Sequence, residues 1–356
     1  MSDSEKKPEI SWFGALCDDD YEFLGVVAPE LRSSWEHCHD IVLCAEENGF
    51  DNILLPSGYE LGIDATSFAS AVSVATNRIR LLLAVRMGEM WLPQLARQMA
   101  TIDQMSGGRL TINIISSDLP GQELESGPRY KRTQEYMKVL RELLNGNPID
   151  FHGQFVDLEI EAPRVRTVSG QCPPFYFGGF SEAAKETAAM ESDVFLTWPD
   201  TVKGVESIVS DMKERASGYG RKLKYGLRAH VIVRETEQEA RDAANRLVSQ
   251  VDDQQGAEIR NRSLDAVSVG VSRQTELRKN SDGDGFIEDN LWTGVGRARS
   301  GAGAAIVGDP DQVKKKINAY MDAGINAFIL SGYPHISECE LFGANVLNQI
   351  EHGPLT

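Results

Sequence analysis

Two polar side chains interrupt an apolar run in the stretch GLRAHVIV: Arg228 and His230. Side chains alternate along a strand, so these two share one face. A guanidinium inside an apolar strand is unfavourable unless it meets a carboxylate or an anionic ligand. Two readings are open here, a buried ion pair with an acidic residue or recognition of a small anion, and His230 alone would fit a satisfied core histidine. Further on, FILSGYPH ends another apolar run with Tyr333, Pro334 and His335. Pro334 fixes the backbone between a phenol and an imidazole, which puts two groups able to exchange protons at the mouth of a strand.

Other stretches offer binding chemistry. Phe177-Gly178-Gly179-Phe180-Ser181 joins a predicted strand to a predicted helix. Glycines there let backbone N–H groups and a helix amino terminus approach a phosphate, while a plain tight turn is the competing reading. Ser117 at another strand end and Tyr130 shortly after it extend a candidate phosphate cradle made of Ser117, Tyr130, Gly179, Phe180 and Ser181. Trp198, ending VFLTW, is either core or a flat face for a sugar ring or a flavin. In GVGRARSGAG the glycine spacing is wrong for a dinucleotide fingerprint and no strand precedes it, so the segment reads as a flexible loop carrying Arg297 and Arg299 to the mouth. The stretch from Asn280 to Gly285 starts like a calcium loop, yet Leu291 stands where the closing glutamate belongs, and no metal site is expected.

These residues need a scaffold. Eight apolar runs of strand length alternate with segments of helical period: 10–16, 52–56, 79–86, 109–116, 174–180, 194–198, 225–234 and 327–333. Apolar residues on consecutive positions indicate parallel strands buried on both faces. Eight such units read as a (β/α)8 TIM barrel, with an open doubly wound sheet as the alternative. The expected organisation is a disordered tail over 1–9 and one barrel domain over 10–351. A hairpin is inserted near 147–165, and a polar, glycine-rich lid or mobile loop near 253–303. Reactive groups in a barrel gather at the carboxyl ends of the strands. Arg228 and His230 sit near the start of their run, so only a bend or a long strand brings them there.

Composition narrows the function further. With 41% hydrophobic and 25% charged residues the chain is ordinary for a globular protein, and no apolar run reaches the roughly 20 residues of a membrane span. Five cysteines without close pairing suit reduced thiols in the cytoplasm. A net charge of −17 argues against nucleic acid as partner. It also requires that any anionic ligand be held by locally concentrated cations or backbone N–H groups.

Beyond single motifs, ARQMATIDQMSGGRLTINII, PPFYFGGFSEAAKE, FLTW, GLRAHVIVRET, NLWTGVGRARSGAGAAIVGD and INAFILSGYPH occur in order. Together they resemble the flavin-dependent two-component alkanesulfonate monooxygenases of the bacterial-luciferase-like superfamily, over residues 10 to 350. The resemblance implies a luciferase-like barrel, reduced FMN supplied by a separate NAD(P)H-dependent reductase, O2 as co-substrate, and a homodimer or homotetramer. It implies sulfonate binding and catalysis by Arg228 with His230, a mobile-loop arginine at Arg299, and Tyr333 with His335 in the same pocket. The cradle residues take the FMN phosphate, and Trp198 packs on the substrate. Where the alkanesulfonate enzymes carry a cysteine after PTGR, this chain reads PSGYELGIDA, with Leu61 near that place. The acidic and tyrosyl groups near 18–22 and 59–60 suit hydroxyl recognition. In these details the chain is more similar to the branch that desulfonates the sugar sulfoquinovose to sulfite and an aldehyde, the alternatives being linear alkanesulfonates or other flavin or deazaflavin chemistry.

Overall fold

The computed structural model describes residues 7–261, 268–299 and 301–355. Its first seven strands are β1 (Glu9–Phe13), β2 (Asn52–Leu55), β3 (Arg80–Arg86), β4 (Leu110–Ile115), β5 (Ile149–His152), β6 (Asp157–Ile160) and β7 (Phe175–Gly178). The rest are β8 (Val194–Thr197), β9 (Lys224–Val233), β10 (Phe286–Glu288), β11 (Leu291–Trp292), β12 (Ala305–Gly308) and β13 (Ala327–Ser331). Strands β1, β2, β3, β4, β7, β8, β9 and β13 pair in parallel, each with its neighbour, and β13 pairs back onto β1, closing the barrel. Helices stand between consecutive barrel strands, as a right-handed crossover requires. The barrel interior is filled by Phe13, Leu54, Leu82, Ala84, Tyr176 and Ile329, and the larger apolar layer lies between strands and helices. The eight-strand barrel read from the apolar runs is the observed fold.

Three parts of the chain depart from the sequence reading. Of the tail assigned to 1–9, residues 1–6 lie outside the described residues, but Glu9 opens β1 and is buried, accepting from the Tyr176 hydroxyl at 2.9 Å at the amino end of the barrel. The 253–303 stretch is not a structureless lid where it is described: it folds into helices Asp253–Asn261 and Val269–Lys279, the β10–β11 hairpin and a short turn of helix at Gly294–Arg297. It is also anchored. Arg273 makes two hydrogen bonds to Asp200 (2.7 and 2.9 Å), and the Gln274 side chain donates to the Pro199 carbonyl at 2.7 Å. Residues 262–267 and 300 of that stretch lie outside the described residues. Lastly, His335 begins a helix, His335–Asn345, that the sequence reading left out. The inserted hairpin is β5–β6, whose turn is held by the buried Glu135 carboxylate accepting from the N–H groups of Gln154, Phe155 and Val156. Among the described residues no helix is long and apolar enough to cross a membrane.

One glycine sets the mouth of the barrel. Gly62 has φ +85°, and a Cβ there would fall inside the Leu16 carbonyl and the Cys17 Cα. The loop after β2 can thus lie against the loop after β1 only through a residue with no side chain. Gly62→Ala is expected to lose about 2 kcal/mol or more of stability, read as a lowered midpoint in thermal or urea unfolding. An unchanged midpoint would mean that this backbone contact yields freely.

Candidate active site

The length of β9 decides how Arg228 and His230 reach the rim. This strand has ten residues, and its neighbours stop partway along it: β8 ends at Thr197 opposite Leu227, and β13 ends at Ser331 opposite His230. The two side chains therefore stand level with the carboxyl ends of the adjoining strands. Beyond them β12 takes over as partner, pairing Ala305 with His230 through to Gly308 with Val233. The handover from β8 to β12 falls at Arg228 and Ala229.

Arg228 is buried (7% exposed) and makes no ion pair among the described residues. Its guanidinium donates to the carbonyls of Ala229 (2.6 Å) and Ile329 (3.4 Å) and to Ser331 Oγ (2.8 Å). It also lies 4.4 Å from the centroid of the Phe13 ring. Burial first, then the neighbouring Arg299 charge, pushes its pKa down to about 9. This is a cation held in place by neutral groups, and an anion would relieve it. Ser331 Oγ is also 2.8 Å from His230 Nδ1. Ser331 accepts from Arg228 and so links the two side chains; when its own proton goes to Nδ1, His230 carries its proton on Nε2. Burial, then the Arg228 and Arg299 charges, holds His230 well below the usual histidine range, so it is neutral.

Arg299 approaches the same ring, its Cζ 5.4 Å from the Phe13 centroid. It donates to the Tyr333 hydroxyl at 2.6 Å and to Asp19 Oδ2 at 2.9 Å. Burial opposes its charge, but Tyr333 and the Asp19 carboxylate outweigh burial and keep it firmly protonated. Burial in turn raises the Tyr333 pKa, with the Arg299 charge only partly offsetting it, so the phenol keeps its proton. The Tyr333 ring lies 5.2 Å from both His230 and His335. His335 is fully buried, with Nδ1 and its backbone N–H each 3.0 Å from Asp20 Oδ1, while His37 Nε2 is 2.9 Å from Asp20 Oδ2. Burial alone would raise the Asp20 pKa. The His335 charge and hydrogen bonds, with the bond from His37, prevail and hold it well below the carboxylate range. Among the described residues the buried Nε2 atoms of His230 and His335, Arg299 Nε and Asp19 Oδ1 have no hydrogen-bond partner.

The five residues singled out at this face, Arg228, His230, Arg299, Tyr333 and His335, thus form one cluster. Beside it opens a cavity of about 460 Å³ whose walls include Asp19, Arg299, Arg86, Ser117 and Tyr59. Ser117 accepts from Arg86 Nε at 2.7 Å. Across the rim, Ser181 caps helix Glu182–Glu191, its oxygen accepting from the Ala184 N–H at 3.2 Å. A Cβ on Gly179 would lie 2.5 Å from Ala184 Cβ and 3.3 Å from the Tyr130 hydroxyl, so backbone, hydroxyl and helix terminus meet where only glycine fits. Trp198 is not brought into the arginine cluster. It packs on Phe180 (5.7 Å between centroids) and under Gly270 of helix Val269–Lys279.

The family model described as luciferase-like monooxygenase matches residues 23–327, most of this barrel and all five clustered residues except Tyr333 and His335. The chain belongs to that family. This luciferase-like monooxygenase is 60% identical over 359 aligned positions to the sulfoquinovose monooxygenase of Novosphingobium aromaticivorans, covering 99% of each chain. It is 50% identical over 346 positions to the sulfoquinovose monooxygenase of Agrobacterium fabrum, covering 96% of this chain and 90% of that one. Among solved structures, riboflavin lyase with modified FMN and riboflavin superposes with a TM-score of 0.78 at 15% identity over 97% of this chain and 91% of that one, a likeness of fold.

Four residues of the luciferase-like monooxygenase site escaped the sequence reading as individuals: Asp19, Asp20, His37 and Ser331. The run Asp18-Asp19-Asp20 after the first strand pointed to the region but could not say which carboxylate faces which partner. The acids at 18–22, expected to suit hydroxyl recognition, turn to different partners. Asp18 accepts from the Ser33 N–H, Asp20 is taken up by two histidines, and Glu22 pairs with Arg246 on the outer surface.

Proposed function

We propose that this luciferase-like monooxygenase uses reduced FMN and O2 to cleave the carbon–sulfur bond of sulfoquinovose. One oxygen atom would enter the product 6-oxo-glucose and the other would leave as water, with sulfite and oxidised FMN as the remaining products. The observation that carries this reading is Arg228: a buried guanidinium without a counter-anion, in a protein of net charge −17, matches a monoanionic sulfonate. The near full-length identity to two sulfoquinovose monooxygenases supports the choice of sulfonate.

The residues present fit FMN. Gly179 leaves room for a phosphate beside the Tyr130 hydroxyl and the amino terminus of helix Glu182–Glu191. Ser181 still has its hydroxyl proton to donate, and Arg129 and Arg132 each keep a buried Nε without a partner close to Tyr130 and Ser117. Ser117, Tyr130, Gly179, Phe180 and Ser181 would hold the cofactor, which when reduced supplies the two electrons that activate O2. Arg228 would bind the sulfonate. Arg299, kept in place by Asp19, would exclude water from that end of the cavity and orient the Tyr333 hydroxyl, whose retained proton can neutralise developing negative charge. His335, its Nδ1 held by Asp20, would in its neutral form take the proton from the carbon that loses sulfur on the unpartnered Nε2. His230 would donate from Nε2, and Trp198 would border the substrate from beneath the insertion.

A separate NAD(P)H-dependent reductase would supply the reduced FMN in the cytoplasm. The enzyme would assemble as a homodimer or homotetramer, as its resemblance to the family implies. The test is sulfite release in the presence of an FMN reductase, NADH and O2. Sulfite from sulfoquinovose, with little from octanesulfonate, is the expected result; absence of sulfite from sulfoquinovose refutes the reading.

A further inference from the structure

We infer that Asp19 is the specificity residue of this site, reading a ring hydroxyl of the sulfonated substrate together with Arg299 and so excluding plain alkyl sulfonates. This inference rests on the proposed desulfonation.

Among the described residues Asp19 is the one acid of the mouth with a buried oxygen that lacks a partner. Asp18 accepts from the Ser33 N–H, Asp20 is taken up by two histidines, Glu22 is paired outside the barrel, and Glu60 is exposed to solvent at the cavity's edge. Asp19 uses Oδ2 on Arg299 at 2.9 Å, while Oδ1 is buried and without a partner. A buried, unfilled carboxylate oxygen is unfavourable unless a donor arrives. The other half of the same ion pair is unfilled too, because Arg299 Nε is buried and makes no hydrogen bond among the described residues. One ion pair therefore presents an empty acceptor and an empty donor. The hydroxyls of a sugar ring can fill them, one donating to Asp19 and another accepting from Arg299. A methylene satisfies neither and would leave both buried groups desolvated.

Position agrees with chemistry. Asp19 and Arg299 both line the 460 Å³ cavity. Arg299 also reaches inward to Tyr333, which stands beside His230 and His335. A sulfonate on Arg228 would thus extend its carbon skeleton outward past Arg299 and Asp19. Selection by hydrogen bonding to a hydroxyl is also the strong kind, since the analogue that lacks the group leaves charged partners unsatisfied.

The experiment compares Asp19→Asn with the wild type, FMN present, using two probes that share a ring and a sulfonate: sulfoquinovose and cyclohexylmethanesulfonate, which has no hydroxyl. Calorimetric Kd values are read for both, with sulfite release from sulfoquinovose by the wild type as the control for the underlying activity. Asparagine keeps an oxygen for Arg299 but removes the charged acceptor. We expect the Kd for sulfoquinovose to rise about tenfold to a hundredfold, and that for the hydroxyl-free probe to change less than about threefold. Equal weakening of both probes would make Asp19 only a prop for Arg299 and overturn the inference, as would no change in either. If the wild type binds sulfoquinovose no better than the hydroxyl-free ring, the inference fails although sulfite release may stand. A wild type that releases no sulfite sinks the desulfonation reading, and the inference with it.

Discussion

Arg228→Lys leaves a folded barrel that releases sulfite at least about a hundredfold more slowly than the wild type. Three directed donor contacts hold the guanidinium at the point where β8 yields to β12. A lysine ammonium is a compact charge without the planar fork, and cannot keep Ser331 and two carbonyls while also meeting a sulfonate. Each charge-assisted hydrogen bond to the anion is worth roughly 1.5–3 kcal/mol, so losing one or two gives a factor of this size. Circular dichroism would establish that the variant is folded, and near-normal sulfite release would remove Arg228 from the reaction. The same cation carries a pH signature. Its pKa is depressed to about 9 in the free enzyme, so sulfonate affinity is expected to fall as pH rises through that value. A bound anion favours the charged form, so the rate at saturating substrate should fall only at a higher pH.

Asp20→Ala is expected to lose about 3–5 kcal/mol of stability together with most of the activity. The wild-type carboxylate is buried and satisfies three donors, the His335 N–H, the His335 ring and the His37 ring. Removing it leaves those groups without an acceptor in a dry interior. The pH dependence separates this role from simple packing. A carboxyl whose folded-state pKa is depressed contributes stability that is complete above its unfolded value, near 3.9, and that disappears as pH falls through the lower folded value. Urea midpoints of the wild type and variant should therefore differ most above about pH 5 and converge in acid. A gap that stays constant down to pH 2 would show that Asp20 acts by shape and not by charge. Activity adds a second readout, because without Asp20 the His335 ring has nothing to fix its tautomer.

How much of this was legible in advance follows from what each segment is made of. The barrel strands are apolar on both faces, so runs such as 79–86 and 109–116 declared themselves, and the closed sheet followed from their number. Strand β12 did not: Ala305–Gly308 sits after a glycine-rich stretch that reads as loop, and its identity as a strand depends on the partner β9 provides. Helix Val269–Lys279 was hidden for a similar reason. Its residues are mostly polar, and among what holds it are two bonds from Arg273 to Asp200, 73 positions away in sequence. At the site, Arg228, His230, Tyr333 and His335 were legible because polar groups in or just after apolar strands are conspicuous. Asp19 and Asp20 were not separable, since adjacent and chemically identical residues turn to opposite duties, one to Arg299 and the other to two histidines. That division exists only once the chain is folded.

The shared strand β9 has a bearing on engineering. Its first half is zipped to β8 and its second half to β12, so β12, itself paired to β11 of the insertion, is the only wall that the upper half has on that side among the described residues. Trimming the insertion to make a smaller enzyme, as one would shorten a loop, would uncover the amide edge immediately above Arg228. Designers who transplant this pocket onto another barrel must carry β10, β11 and β12 with it as one piece.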